Sequence, residues 1–485
     1  MKNIIIIFIL IQVNGKVFSQ ITFSPHVEIQ NAGIRSFCIA EDFNNDGLTD
    51  LVTASESGFV YLLWIYKQQN GQLIFQDTIE YNGLGYCGVQ SIASGDLNND
   101  ELTDLIISYC DSVKIYFQDS ILGFFNASES ITFRVDSTTG GIHGLAGGDL
   151  NNDGFCDLAV SSWNNSSIYV YYQNSNHTFL LRTYYKRNTQ DNELLISDIN
   201  NDGLNDLIVS NGGTYGAFDN DGNKNCFAIY LQDSISHYLQ FPHFFAVDTI
   251  TPNSWIKNTV LGIAIGDIDN DGYKDIVTSY IFYAYIWHQE PGNPTLFPNP
   301  PDSLGSDINP SPVYIKDLNN DGKNEIIICS DGYERVSVFE SDSNFQFSNF
   351  TLVSLWNTSN MEQGMMSVED LNNDSMLDIV TTYGYGASIA YNITLSSVDD
   401  IFKNTNQDMI IYPNPSKDIF KIMLNAEILQ AQLEIYNAFG EKIYTTTIHQ
   451  RKETINTRGL PSGIYFVKVS EDGRQYCKEL IIAQD

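Results

Sequence analysis

The stretch "DLNNDGFCDL", Asp149–Leu158, is one of seven acidic phrases along the 485-residue chain. It sets side-chain oxygens at its first, third, fifth and ninth positions, glycine at the sixth, and apolar residues at the second and tenth. This spacing suits a hard cation, because Ca2+ takes about six to eight oxygen ligands from carboxylates, amides, backbone carbonyls and water. The expected ligands are Asp149, Asn151, Asp153, the carbonyl of Phe155, and Asp157. Ordinary turn chemistry also favours Asn, Asp and Gly. It gives no reason, however, for an acid at positions one, five and nine in all seven copies.

The same reading assigns Asp42, Asn44, Asp46, Leu48 and Asp50 to the first copy, and Asp96, Asn98, Asp100, Leu102 and Asp104 to the second. The fourth has Asp198, Asn200, Asp202, Leu204 and Asp206; the fifth has Asp267, Asp269, Asp271, Tyr273 and Asp275. Asp317, Asn319, Asp321, Lys323 and Glu325 make the sixth, and Asp370, Asn372, Asp374, Met376 and Asp378 the seventh. The residue at position seven always contributes its carbonyl. Glu101 and Ser375 replace the glycine in two copies and Glu325 the ninth aspartate in another, so calcium is expected to be weakest at the Asp96, Asp317 and Asp370 sites. A further "DNDGNKN", Asp219–Asn225, falls in the longest interval and reads as an insertion loop.

An EF-hand would need a bidentate acid at position twelve. The copies instead carry Thr53, Ile107, Val160, Val209, Thr278, Ile328 and Thr381 there. Positions ten and eleven are apolar throughout, in runs such as "DLIISY" and "DIVTSY". Each loop therefore leads into a buried strand.

The copies begin at Asp42, Asp96, Asp149, Asp198, Asp267, Asp317 and Asp370, at intervals of 54, 53, 49, 69, 50 and 53 residues. A period of about 50 residues suits a propeller blade of four strands. After its loop and second strand, each blade should continue with an aromatic third strand such as "GFVYLLWIY" and a fourth such as "LIFQDTIEY". Later fourth strands are expected in "ITFRVDSTT", "FLLRTYYKR", "QFPHFFAVD", "TLFPNPPDS" and "FSNFTLVSL". The seventh blade lacks one after "ASIAYNITL", and "ITFSPHVEI", Ile21–Ile29, supplies the pattern from the amino-terminal side. The fold class is thus all-β: a seven-bladed β-propeller followed by a small C-terminal β-sandwich.

The seven loops resemble FG-GAP and VCBS-type repeats, the calcium-loop blades of integrin α-chain propellers and many bacterial surface proteins. The resemblance spans roughly residues 21 to 395 and implies that each loop joins the first and second strands of its blade. The flanks depart from the integrin branch, with "TAS", "SSW" and "TYG" where "GAP" would stand.

The opening "MKNIIIIFILIQVNGKVFSQ" reads as a secretory signal over residues 1–19, cut before Gln20, with an apolar core too short to span a bilayer. Residues 20–395 would form the propeller, 396–408 a polar linker, and 409–485 a small β domain. That last domain carries "YPNP", "YNAFGEKI" and "GLPSGIYFVKV" in order, and so resembles the sorting domain of the type IX secretion system of Bacteroidota. The resemblance implies passage through the periplasm and across the outer membrane, to the medium or the cell surface, with the secretion machinery as a partner.

The chain holds 59 acids against 25 Lys and Arg, for a formal charge of −34. Such a balance disfavours nucleic-acid backbones and anionic membrane surfaces. No later segment has transmembrane length, and the chain is expected to act as a monomer. Seven cysteines without a CxxC pair argue against a dense disulfide framework, and Cys110 and Cys329 read as buried hydrophobes.

Connections on the face away from the loops carry Tyr86, Trp163, Tyr215, Trp255, Tyr333, Trp356 and Tyr383, with Arg35 and His143. Aromatic planes there can meet a glycan or a surface protein, although wedging between blades would use the same residues. No HExxH, GxSxG or phosphate loop is visible, so no catalytic residue is assigned. The sequence favours a calcium-stabilised binding module over its alternative, a lyase-like polysaccharide-active enzyme on the same scaffold.

Overall fold

The computed structural model describes residues 21–394 and 409–482, apart from 31–33, 58–59, 82–87, 120–122, 127, 129, 136–140, 163–165, 187–190, 212–226, 246–259, 281–282, 292–296, 298–300, 306–309, 331–334, 343–344, 348, 356–365, 384–385, 414–415, 418, 425–429, 438–441, 462 and 472–473. The signal at 1–19, the linker at 396–408 and the "DNDGNKN" insertion lie outside the described residues. One compact unit runs Thr22–Ile393, and a second holds Thr394–Asp485.

In the first unit the described residues form seven four-stranded antiparallel sheets. The sheet of the third repeat shows the pattern: Ile142–Gly148, then the acidic loop, then Asp157–Ser162, Ser167–Gln173 and Phe179–Lys186. The first strands of successive sheets are neighbours in chain order, and Ile34–Glu41 of the first repeat also adjoins Met366–Glu369 of the last. The sheets thus close a ring, and the repeats fold as a β-propeller.

Each second strand lies between two neighbouring sheets, which explains its unbroken apolar run. In Asp104–Tyr109, Leu105 and Ile107 pack against the first sheet, while Ile106 faces the third. Burying such a side chain stabilises the fold by about 1.5–3 kcal/mol. The apolar second position of the loop is pinned in the same cores, since Phe43, Leu97, Leu150, Ile199, Ile268, Leu318 and Leu371 are all fully buried.

The amino-terminal strand closes the ring. Val27–Gln30 pairs antiparallel with Gly386–Ala390, from Val27 opposite Ile389 to Gln30 opposite Gly386. Ser24 N–H donates to the Tyr391 carbonyl (2.8 Å) and Ile393 N–H to that of Thr22 (2.8 Å), extending the clasp.

In the fifth blade the described fourth strand is Asp302–Gly305, where "TLFPNPPDS" ends, and residues 295–296 and 298–300 lie outside the described residues. One expectation needs correction. Cys110 is not a simple buried hydrophobe: it is disulfide-bonded, whereas Cys38, Cys156 and Cys329 form no disulfide.

The second unit has a three-stranded sheet of Met409–Tyr412, Ile419–Leu424 and Lys452–Asn456, and a four-stranded one of Lys442–Ile448, Ala431–Asn437, Gly463–Glu471 and Arg474–Ile482. Phe420 and Ile422 of the first and Leu433, Ile435, Val467 and Leu480 of the second share one core, as expected of a sandwich.

Deleting residues 21–30 removes the clasp and bares the edge of Gly386–Ala390. The truncated protein is expected to aggregate, read by light scattering and size-exclusion chromatography, because an unpaired strand edge templates association. A soluble, fully folded truncation would contradict closure by this strand.

Candidate metal centre

Each acidic loop is built around its first aspartate. In the third, Asp149 Oδ1 accepts from the N–H of Asn151 (3.2 Å) and Asp153 (3.2 Å), and Oδ2 from Gly154 N–H (2.9 Å). Asp153 Oδ1 in turn accepts from Phe155 N–H (3.0 Å). The chain therefore winds about its own carboxylates.

The winding needs two left-handed residues. Position four is Asn in every copy, with φ of 56–60° from Asn45 to Asn373. Position six has φ of 79–87° at its five glycines, where an added Cβ would meet nothing within 4 Å. Backbone conformation, not space, calls for glycine. Glu101 (φ 67°) and Ser375 (φ 70°) adopt the same shape, and their N–H groups reach Asp96 (2.9 Å) and Asp370 (2.8 Å) as glycine's does. These two loops are complete in outline and strained in backbone.

The ninth acid is buried and opens the second strand. Asp157 Oδ2 accepts from Leu150 N–H (2.9 Å), and Oδ1 from Gln173 N–H on the third strand (2.8 Å). Asp104, Asp206, Asp275 and Asp378 repeat both contacts. Burial pushes Asp104, Asp157, Asp206 and Asp378 up to about 7, Asp50 to about 6, and Glu325 to about 9. Desolvation of the charged form is the main cause, with the neighbouring loop acids adding to it.

Side-chain amides then tie loop to loop. Gln68 Nε2 reaches the Asp370 carbonyl (3.1 Å), Gln289 Nε2 that of Ile199 (2.8 Å), and Asn392 Nδ2 that of Leu318 (2.7 Å), each in the preceding blade. The fourth-position asparagines bridge the other way: Asn201 to Gly272 O (2.9 Å), Asn270 to Gly322 O (2.7 Å), and Asn320 to Ser375 O (3.1 Å). This role of the fourth position is not apparent from ligand spacing alone, yet its signal, an Asn in all seven copies, stands in the sequence.

Three or more acids or histidines converge on a common point in the fifth loop: Asp267, Asp269 and Asp271 form one group, and Asp269, Asp275 and His288 another, with ligand atoms within 4.8 Å of one another. The other loops have Asn at position three, so their donor set mixes amide and carboxylate oxygens. In the first loop Lys67 Nζ lies 2.8 Å from Asp46 Oδ2 and already supplies a positive charge. The crowded carboxylate and amide oxygens of the loops fit a hard divalent cation, with an imidazole nitrogen beside them in the fifth loop.

Of the residues expected to meet a ligand, Tyr86, Trp163, Tyr215, Trp255, Tyr333 and Trp356 lie outside the described residues. Tyr383 ends a described strand. His143 stands exposed at the start of its first strand, away from the loop, beside Gln90, and crowding by protein lowers its pKa. Toward the ring's centre, Glu193 accepts from Ile263 N–H (3.0 Å), Tyr314 donates to the Met366 carbonyl (2.5 Å), and Lys316 pairs with Glu369 (3.1 Å).

Residues 42–107, 96–160, 149–209 and 285–381 match the family model of the FG-GAP-like repeat, together more than half of the chain. The chain belongs to the FG-GAP-like repeat family. Its residues 410–483 match the secretion system C-terminal sorting domain. This domain sends the FG-GAP-like protein through type IX secretion to the cell surface or the medium, and no helix among the described residues is long and apolar enough to cross a membrane. A crystal structure of a protein from Lactobacillus plantarum is similar at 11% identity, over 63% of this chain and 81% of that one, with a TM-score of 0.43. No curated protein matches the chain. The matched FG-GAP-like segments leave out residues 210–284, so the fifth loop is recognised by its own hydrogen bonding.

Two outcomes follow from the loop geometry. Gly154→Ala should cost about 1–2 kcal/mol and Glu101→Gly should add about 0.5–1 kcal/mol in urea denaturation, because a Cβ strains left-handed backbone. Equal effects at both sites would contradict the shared conformation. In protein freed of divalent ions, the raised ninth acids hold protons that the unfolded chain releases, so stability should fall as pH rises from about 4 to 7. A urea midpoint that climbs over this range would overturn the burial argument.

Proposed function

We propose that the protein is a calcium-stabilised binding or adhesion module, secreted or held at the cell surface, whose ligand is a glycan or another surface protein. Calcium would bind through the five donors of each loop named above, up to seven ions, with the Asp96, Asp317 and Asp370 sites the weakest. The observation that carries the metal assignment is the buried ninth carboxylate, desolvated in repeat after repeat beside the first and fifth acids. A divalent ion there favours the ionised form and offsets that cost. Seven Ca2+ would bring the formal charge from −34 to −20.

Binding is preferred to catalysis because the ionisable groups toward the ring's centre are committed to holding blades together. Glu193 joins the fourth blade to the fifth, and Lys316 with Glu369 joins the sixth to the seventh. His143 and the aromatic residues of the connections then provide the recognition surface. We assign residues 20–395 to the mature propeller, 396–408 to a linker, and 409–485 to the sorting domain that meets the secretion machinery, the protein acting as a monomer.

The test is a glycan array, with product analysis on every hit, run in calcium and again after EDTA. Retention of unaltered glycan that disappears with EDTA is the expected result. Shortened or unsaturated products would instead establish the polysaccharide-active enzyme, and binding indifferent to EDTA would detach the loops from function.

A further inference from the structure

The loops differ in the residue that the third strand lays over them. This is the residue just past the partner of position ten: Phe117, Tyr172, Leu231 and Tyr391 in four blades, Lys67 in the first, Glu340 in the sixth and His288 in the fifth. His288 Nδ1 lies 3.5 Å from Asp275 Oδ2 and 3.6 Å from Asp269 Oδ2. That nitrogen is buried, with these two carboxylates as its polar neighbours. The fifth loop is also the one copy with an acid, Asp269, at position three.

We propose that the fifth loop takes a borderline divalent transition-metal ion, of the Zn2+ or Co2+ class, on Asp269, Asp275 and His288. The inference rests on the metal-loop reading above and changes the ion at one site. Calcium prefers oxygen donors, whereas a neutral imidazole nitrogen suits zinc and its neighbours. The three donors already lie within 4.8 Å of one another. On the far side of the ring, His288 Nε2 points to Asp302 Oδ2 at 3.6 Å. From that position the carboxylate needs only a small approach to take the N–H of a ligating histidine, which fixes the tautomer and leaves the other nitrogen to bind metal.

The backbone on both sides holds the ring in place. Trp287 is buried, with its indole N–H on Thr278 Oγ1 (2.9 Å). Gln289 donates through its N–H to Asp275 Oδ1 (2.9 Å) and through its side chain to the Ile199 carbonyl (2.8 Å). His288 thus sits just past the end of the strand Tyr283–Trp287, between two anchored neighbours, and Lys274 of the same loop is turned away, with Nζ on Ser197 Oγ (2.8 Å).

The test uses full-length protein in excess CaCl2, titrated with Co2+ and followed by visible d–d absorption. One Co2+ per chain is expected, displaced by Zn2+ and not by further calcium. H288Q should abolish the band while the melting shift from calcium at the other loops persists, and D302N should weaken cobalt about 10–100-fold. Absence of the band in the native protein, or an unchanged band in H288Q, overturns the inference. Should cobalt bind through His288 while calcium leaves melting unchanged, the calcium reading fails and this one stands.

Discussion

The structure depends on one carboxylate repeated around a ring. The ninth acid of every loop is placed out of water at the head of the second strand, and in five of the seven its oxygens accept backbone N–H groups both from the loop behind it and from the end of the third strand beside it. Such contacts to a charged group are worth about 1.5–3 kcal/mol each, yet burial of the charge opposes them. The acid is therefore a joint under electrostatic load. A divalent ion among the first, third, fifth and ninth residues would relieve that load, and the same glutamine that caps the acid reaches back to the preceding blade. Local charge balance and ring cohesion are consequently one problem, solved blade by blade.

Much of this was legible from local pattern. Seven loops at a period of about 50 residues gave the sheets, the apolar runs after them gave second strands buried on both faces, and "ITFSPHVEI" foretold the closing strand. Those features are set by residues near one another in sequence, or by a gap that a single segment can fill. The inter-blade bridges of Asn201, Asn270 and Asn320 were missed because they join loops more than 50 residues apart. His288 carries no linear motif that would flag it, since its partners Asp269 and Asp275 come from a different strand connection.

The seven acidic loops are nearly fixed in sequence, as a structural joint demands, whereas the connections between the other strands vary in length and composition. The sorting domain has its own core in a separate unit.

The central claim is that metal in the loops holds the ring. It is tested most directly by calorimetric melting of the native protein over graded free Ca2+, with elemental analysis of the same sample. Ions that bind the folded state alone raise the midpoint with concentration. The account predicts several bound calcium ions per chain and a melting temperature that falls markedly in EDTA and recovers when calcium is restored. An unchanged midpoint in EDTA, with no calcium in the native protein, would contradict it.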